Sequence, residues 1–229
     1  MRVSEQGRPG RHANIVRRTA RMEAFSDGVY AIAITLLVLD LSVPRSTTTD
    51  VASALRHEWP IYMAYVVSFA SIGAAWLAHS AITEYLDHAD SLLLRLNLLL
   101  LFFVSVLPFP THLVANFLHN ESGERVAVTV YGLNLLAISA MTSILWRYAL
   151  AEGLVSDEKE DDDIRALTRK LNPSLASYVV AIAVGLAFPY VAVGIYLAIA
   201  LFFLIPFRAI GRWLRRGRHR PASPPNATP

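Results

Sequence analysis

Three stretches of this chain run without an Asp, Glu, Lys or Arg for about the thickness of a bilayer: Trp59–Ile82, Leu96–Leu118 and Val126–Trp146. As helices, each is long enough to cross a hydrocarbon core of about 30 Å. A fourth charge-free stretch, Leu171–Phe207, has 37 residues. As one helix it would run roughly 55 Å, too long for a single crossing. Phe188–Pro189–Tyr190 lies near its middle, and proline breaks helices. That stretch therefore reads as two short spans joined by a tight turn.

One further span precedes these. Gly28–Leu39 is a short apolar stretch between Asp27 and Asp40. A crossing helix here must begin near Met22, which places Glu23 and Asp27 inside it or at its edge. A carboxylate near membrane depth is costly and needs a reason. The expectation is an all-α, polytopic membrane protein with six spans, at about 22–42, 58–82, 94–117, 124–147, 172–188 and 190–208. Composition agrees: 17% of residues are charged and mean hydropathy is +0.41, against about 25% charged in soluble domains. The first apolar stretch lacks a small-residue cleavage site and reads as a retained span. With no cysteine, disulfides, thiolate metal sites and a cysteine nucleophile are excluded.

Charge placement sets the expected orientation. With the amino terminus in the cytoplasm, 18 of the 21 basic residues fall on that side, and only Arg45, Arg56 and Arg125 fall outside. Residues 1–21 form a basic cytoplasmic segment, 22–210 the membrane domain, and 211–229 a basic, Pro-rich cytoplasmic tail whose end, Pro221–Pro229, is expected to be disordered. Beside membrane spans, the terminal arginines read as a topology signal and an attraction for anionic lipid, not for nucleic acid. The acidic run Asp157–Asp163 falls in the connection Ala149–Lys170. It reads as part of a solvated loop, with a cation-concentrating patch as the alternative.

On the first helix, Ile32, Leu36 and Leu39 stand at i, i+4 and i+7 and share one narrow face, with Thr35 beside it. Asp27 lies about 140° around from Ile32 at 100° per residue, and Ser26 also points away. On spacing alone the stripe is ordinary helix or lipid packing. Asp27 reads as a cap or a structural hydrogen-bond partner before it reads as an ion ligand, because acidic residues suit first turns. Trp76 and His79 share a face near the inner end of the second helix, and Arg95 and Asn97 begin the third. Ser26, Asp27, Trp76, His79 and Asn97 are thus expected at one depth. There they can satisfy one another, as a packing network in preference to a proton relay. Leu107–Pro108–Phe109–Pro110 predicts a bend near the outer surface. Glu84, Asp87, His88 and Asp90 resemble a metal-ligand set in composition but not in spacing, and read as a short solvated loop. No metal or other cofactor is implied, and the P-loop, dinucleotide, His-Glu-x-x-His and Gly-x-Ser-x-Gly signatures are missing.

Arg21–Met22–Glu23–Ala24–Phe25–Ser26–Asp27, an Arg-x-x-x-Phe-Ser-Asp motif opening the first span, resembles the signature of the transmembrane protein 175 family, lysosomal potassium channels of animals and their bacterial relatives. The following Gly28–Leu39, Trp76-x-x-His79, Asn97 and Pro108–Phe109–Pro110 are similar as well, and the resemblance covers about residues 17–210. It implies a potassium channel whose first helix lines a central pore, with an apolar constriction in place of a carbonyl filter. The matching positions are Ile32, Leu36 and Leu39. Thr35 matches a threonine associated with selectivity. Arg21, Phe25, Ser26 and Asp27 match the motif that anchors the first helix, together with Trp76, His79 and Asn97. A single six-helix unit implies a homotetramer, and the animal relatives leave proton permeation open beside potassium.

The expected function is a passive, potassium-selective channel in the cell membrane, not an enzyme. The rival is a proton-coupled secondary transporter using Asp27 and His79. Against it, no paired repeats and no interrupted core helices are visible. A membrane-embedded enzyme is weaker still, since no catalytic constellation converges.

Overall fold

The computed structural model describes residues 9–41, 56, 58–118, 123–156 and 161–205. Arg45, the first part of the acidic run and the basic Pro-rich tail lie outside the described residues. The described residues fold into helices throughout: α1 (Pro9–Leu36), continued by a 3-10 turn at Leu37–Asp40, then α2 (Trp59–Tyr85), α3 (Ser91–Val106), α4 (Pro108–Phe117), α5 (Glu124–Ala151), α6 (Asp161–Ala187) and α7 (Pro189–Leu204). Among the described residues the only β pairing is an isolated antiparallel bridge between Leu86 and Val155.

Five stretches are long and apolar enough to cross a membrane: Thr19–Leu39, Trp59–Tyr85, Ser91–Phe117, Glu124–Ala151 and Asp162–Ala187. The sixth expected span is the shorter apolar helix α7. The turn before it falls where proline placed it. Phe188 leaves the helical region at φ −134° and ψ 77°, and Pro189 opens α7 in the first helical position, where its missing N–H removes no bond.

Against the expectation of uninterrupted core helices, the third span is interrupted at Leu107, one residue before Pro108. Leu107 N–H turns back to the Val104 carbonyl at 3.2 Å, so the Phe103 carbonyl loses its regular helical donor. Asn134 on α5 supplies one at 3.2 Å. This is how a proline break is tolerated in a membrane span: a neighbouring helix re-satisfies the freed carbonyl.

The connection after α5 differs from the expected loop Ala149–Lys170. α5 runs on to Ala151, and α6 already begins at Asp161. α6 begins at Asp161, Asp162 and Asp163 place carboxylates in its first turn, where they favour the helix dipole, and Ile164 and Leu167 pack on the core. Thr168 accepts from the Trp146 indole N–H at 2.9 Å. A run that reads as solvated by charge is therefore, in its described part, a helix start.

Helix packing places α1 at one edge, against α2 and α3, and the α6–α7 hairpin at the other, against α5 and α2. The closest approach in the centre is at Gly132 on α5, where the Tyr196 hydroxyl lies over the backbone and a Cβ would sit 2.1 Å from it. At the opposite end from the Phe188 turn, Asp90 caps α3 by accepting from Leu93 N–H at 2.7 Å and from the Tyr148 hydroxyl. Burial pushes the Asp90 carboxyl up, but the bonds from Tyr148, Leu93 and Leu92 and the nearby His88 outweigh it and hold it below its ordinary value. A depressed carboxyl stabilises the fold fully above the ordinary value of 3.8 and loses that contribution as pH falls through the folded value. Asp90→Ala is expected to cost about 1 kcal/mol at neutral pH and to flatten the part of the acid melting curve that lies below pH 3.8. Thermal unfolding in detergent across that range checks both.

Candidate functional site: the exposed face of the first helix and the polar cluster behind it

α1 has two unlike sides. Met22, Ser26, Tyr30, Ala33 and Leu37 are buried. Their spacing of four, four, three and four is one helical face, and that face meets α2 and α3. The other side is open. Phe25 is 56% exposed, Ile32 61%, Leu36 42% and Leu39 73%. Thr35 is exposed beside them, its hydroxyl donating back to the Ile32 carbonyl at 2.9 Å. An added Cβ at Gly28 would meet nothing within 4 Å. The candidate stripe Ile32, Leu36, Leu39 is therefore an apolar surface that none of the described residues of its own chain covers.

Behind that stripe three helices are tied by side-chain hydrogen bonds. Asn97 on α3 donates its amide to the Ser26 hydroxyl at 2.9 Å, and Ser26 donates to the Met22 carbonyl at 2.8 Å. With the Asn97 nitrogen so engaged, its oxygen faces His79 Nε2 at 2.8 Å. The imidazole nitrogen must then carry the proton and donate. Each donor in the sequence His79, Asn97, Ser26 is matched to an acceptor, with exposures of 1%, 2% and 0%. One turn earlier on α2, Trp76 donates its indole N–H to Asp27 at 2.8 Å. Trp76 on α2 and Asn97 on α3, itself held by His79, thus bind two successive residues of α1. The remaining nitrogen of His79 and the Tyr30 hydroxyl are buried without a hydrogen-bond partner, their rings 5.6 Å apart.

The expected common depth of Ser26, Asp27, Trp76, His79 and Asn97 is what the structure places together. Arg21 and Phe25 are not brought in: both are exposed, on the side of α1 that carries Ile32. Asp27 lies in the interior of α1, which starts at Pro9, so the capping reading drops out and the hydrogen bond from Trp76 remains. Glu84, Asp87, His88 and Asp90 do not converge. His88 meets Asp87 at 3.3 Å, while Asp90 caps α3.

Sequence reasoning missed a second buried cluster, in which Ser68 meets Thr111 at 2.8 Å and donates to the Tyr131 hydroxyl at 3.1 Å. It also missed Tyr30, although Tyr30 stands at i+4 from Ser26 and so shares its face.

Comparison with known proteins places these features in a family. Residues 21–108 match the family described as endosomal/lysosomal potassium channel TMEM175. A potassium channel of Streptomyces collinus is 39% identical over 174 residues, 76% of this chain and 84% of that protein. The crystal structure of a lysosomal potassium-selective channel TMEM175 homolog from Chamaesiphon minutus superposes with a TM-score of 0.74 at 36% identity, covering 82% of this chain and 97% of that one. The endosomal/lysosomal proton channel TMEM175 of Gallus gallus is 35% identical over 57% of this chain, which spans 28% of that longer protein.

Proposed function

The chain belongs to the endosomal/lysosomal potassium channel TMEM175 family, and from that premise we propose that it is a homotetrameric, potassium-selective channel of the cell membrane with both termini in the cytoplasm. Four copies of α1 surround the axis. Ile32, Leu36 and Leu39 stack as apolar rings, with Thr35 beside them.

The observation that carries this reading is the open stripe. α1 is tied down on one face by buried hydrogen bonds, yet it leaves Ile32, Leu36 and Leu39 exposed on the other. Apolar rings of that kind gate by dewetting. Where they are wide enough to pass an ion, they favour the one that gives up its water at the lower cost, which is potassium over sodium. Nothing in such a ring coordinates an ion tightly, so conduction is passive. The polar cluster holds α1 at a fixed angle to α2 and α3 and so sets the ring diameter. The cytoplasmic placement of the termini is supported by the 18 of 21 basic residues it puts on that side.

Proton permeation beside potassium is the second part of the reading, motivated by the animal relative, which is a proton channel. Coupled transport through Asp27 and His79 is disfavoured because Asp27 is held by Trp76 and His79 by Asn97.

Efflux from proteoliposomes separates the two classes. Potassium-loaded vesicles should empty down their gradient when a separate ionophore clamps the voltage, with a rate that rises linearly with concentration and needs no co-ion. Saturation, or a strict requirement for a proton gradient, would return the rival transporter.

A further inference from the structure

At the edge of the bundle away from α1, an open groove of about 630 Å³ runs between α6 and α7. Its walls include Ala176, Ser177 and Val180 from α6 and Ala198, Ile199 and Phe202 from α7. Val180 and Phe202 are more than half exposed. Both helices are apolar spans, so the groove lies at bilayer depth. It follows the last turns of α7, toward Leu204, and so lies in the half of the membrane away from the Phe188 turn.

A cation stands at that end of it. Arg169 precedes Ala176 by seven residues, a spacing that returns to the same helical face. It lies about 11 Å along the axis from the groove wall and is exposed. In sequence, α7 leads on to Arg208, Arg212, Arg215 and Arg216.

We propose that this groove holds an acyl chain of an anionic glycerophospholipid of the cytoplasmic leaflet, with its phosphate drawn to Arg169. The orientation rests on the cytoplasmic placement of the termini proposed above. The charge pattern decides the occupant. A second copy of the chain would cover the apolar walls without needing a cation at one end. A zwitterionic lipid would gain little from it, whereas a cation near the membrane surface favours an anionic headgroup. The wall residues Ala176 and Ala198 leave room that larger side chains would fill.

The test uses the full chain, purified as its oligomer from vesicles holding equal phosphatidylglycerol and phosphatidylcholine, with retained lipids counted by native mass spectrometry. Wild type should retain phosphatidylglycerol in preference. Ala198→Trp, which fills the groove, and the charge variant Arg169→Gln should each lose most of it. Val180→Trp is the second groove-filling variant should Ala198→Trp not assemble. Unchanged retention in the groove-filled protein overturns the proposal. So does loss confined to the charge variant, which marks surface adsorption, and so does equal retention of both lipids. Potassium efflux is measured on the same samples in zwitterionic vesicles. If efflux is absent while selective lipid retention stands, the channel reading fails and the lipid site does not.

Discussion

Ile32→Asn should pull the reversal potential, measured with potassium on one side and sodium on the other, strongly toward zero. Ile32 is 61% exposed in the single chain, so its replacement removes little packing within the subunit, and substitutions at such surface positions usually leave stability within about 0.5 kcal/mol. The effect falls on whatever the side chain faces. In the proposed pore it faces three copies of itself, and an amide there brings twelve hydrogen-bonding sites per ring, counting two donors and an acceptor site per carboxamide. A ring so hydrated lets sodium pass with part of its shell. A loss of potassium preference of about tenfold corresponds to about 1.4 kcal/mol of barrier difference. Leu186→Asn is the matched control: Leu186 is 56% exposed but lies on α6, at the opposite edge of the bundle. It should leave selectivity unchanged. If both variants leave the reversal potential where it was, the stripe faces lipid and the constriction lies elsewhere.

Breaking the polar cluster should have the larger effect on assembly. Asn97→Leu keeps the volume of the side chain but strands the His79 N–H in a site that is 1% exposed and takes away the donor to Ser26. Leaving buried groups unpaired in this way costs about 3 kcal/mol. Among the described residues α1 packs mainly against α2 and α3, so the loss falls on the helix proposed to line the pore. Less tetramer on gel filtration, and no potassium current from what remains, are the expected results. Asp27→Asn is the informative companion. An asparagine oxygen still accepts from the Trp76 indole N–H, which Asp27 now does at 2.8 Å, so assembly and current should persist. Loss of flux in a well-assembled Asp27→Asn tetramer would mean that the charge itself is used, as a coupled transporter requires.

Much of the fold was legible because the bilayer imposes length. The charge-free runs located α2, α5 and the α6–α7 hairpin, and Pro189 located the turn within the last. The stripe on α1 and the common depth of Ser26, Asp27, Trp76, His79 and Asn97 were also readable, since helical spacing and the direction of each crossing suffice. Partner choice was not readable. Depth brings five polar groups to one level, but it does not say that Asn97 bridges His79 to Ser26 while Trp76 takes Asp27. The Ser68, Thr111 and Tyr131 cluster was hidden because a serine or threonine in a helix can satisfy itself on its own backbone, as Thr111 also does with Leu107. The start of α6 was misread because a block of aspartates has two physical meanings, a solvated loop or the favoured end of a helix dipole, and only the packing of Ile164 and Leu167 decides between them.

The central claim is that this chain forms a passive, potassium-selective pore, and the reversal potential of the purified wild-type protein in a planar bilayer tests it most directly. With potassium on one side and sodium on the other, the account predicts a steady current that reverses far toward the potassium equilibrium potential. A current reversing near zero, or none from protein shown to be folded and tetrameric, would contradict it.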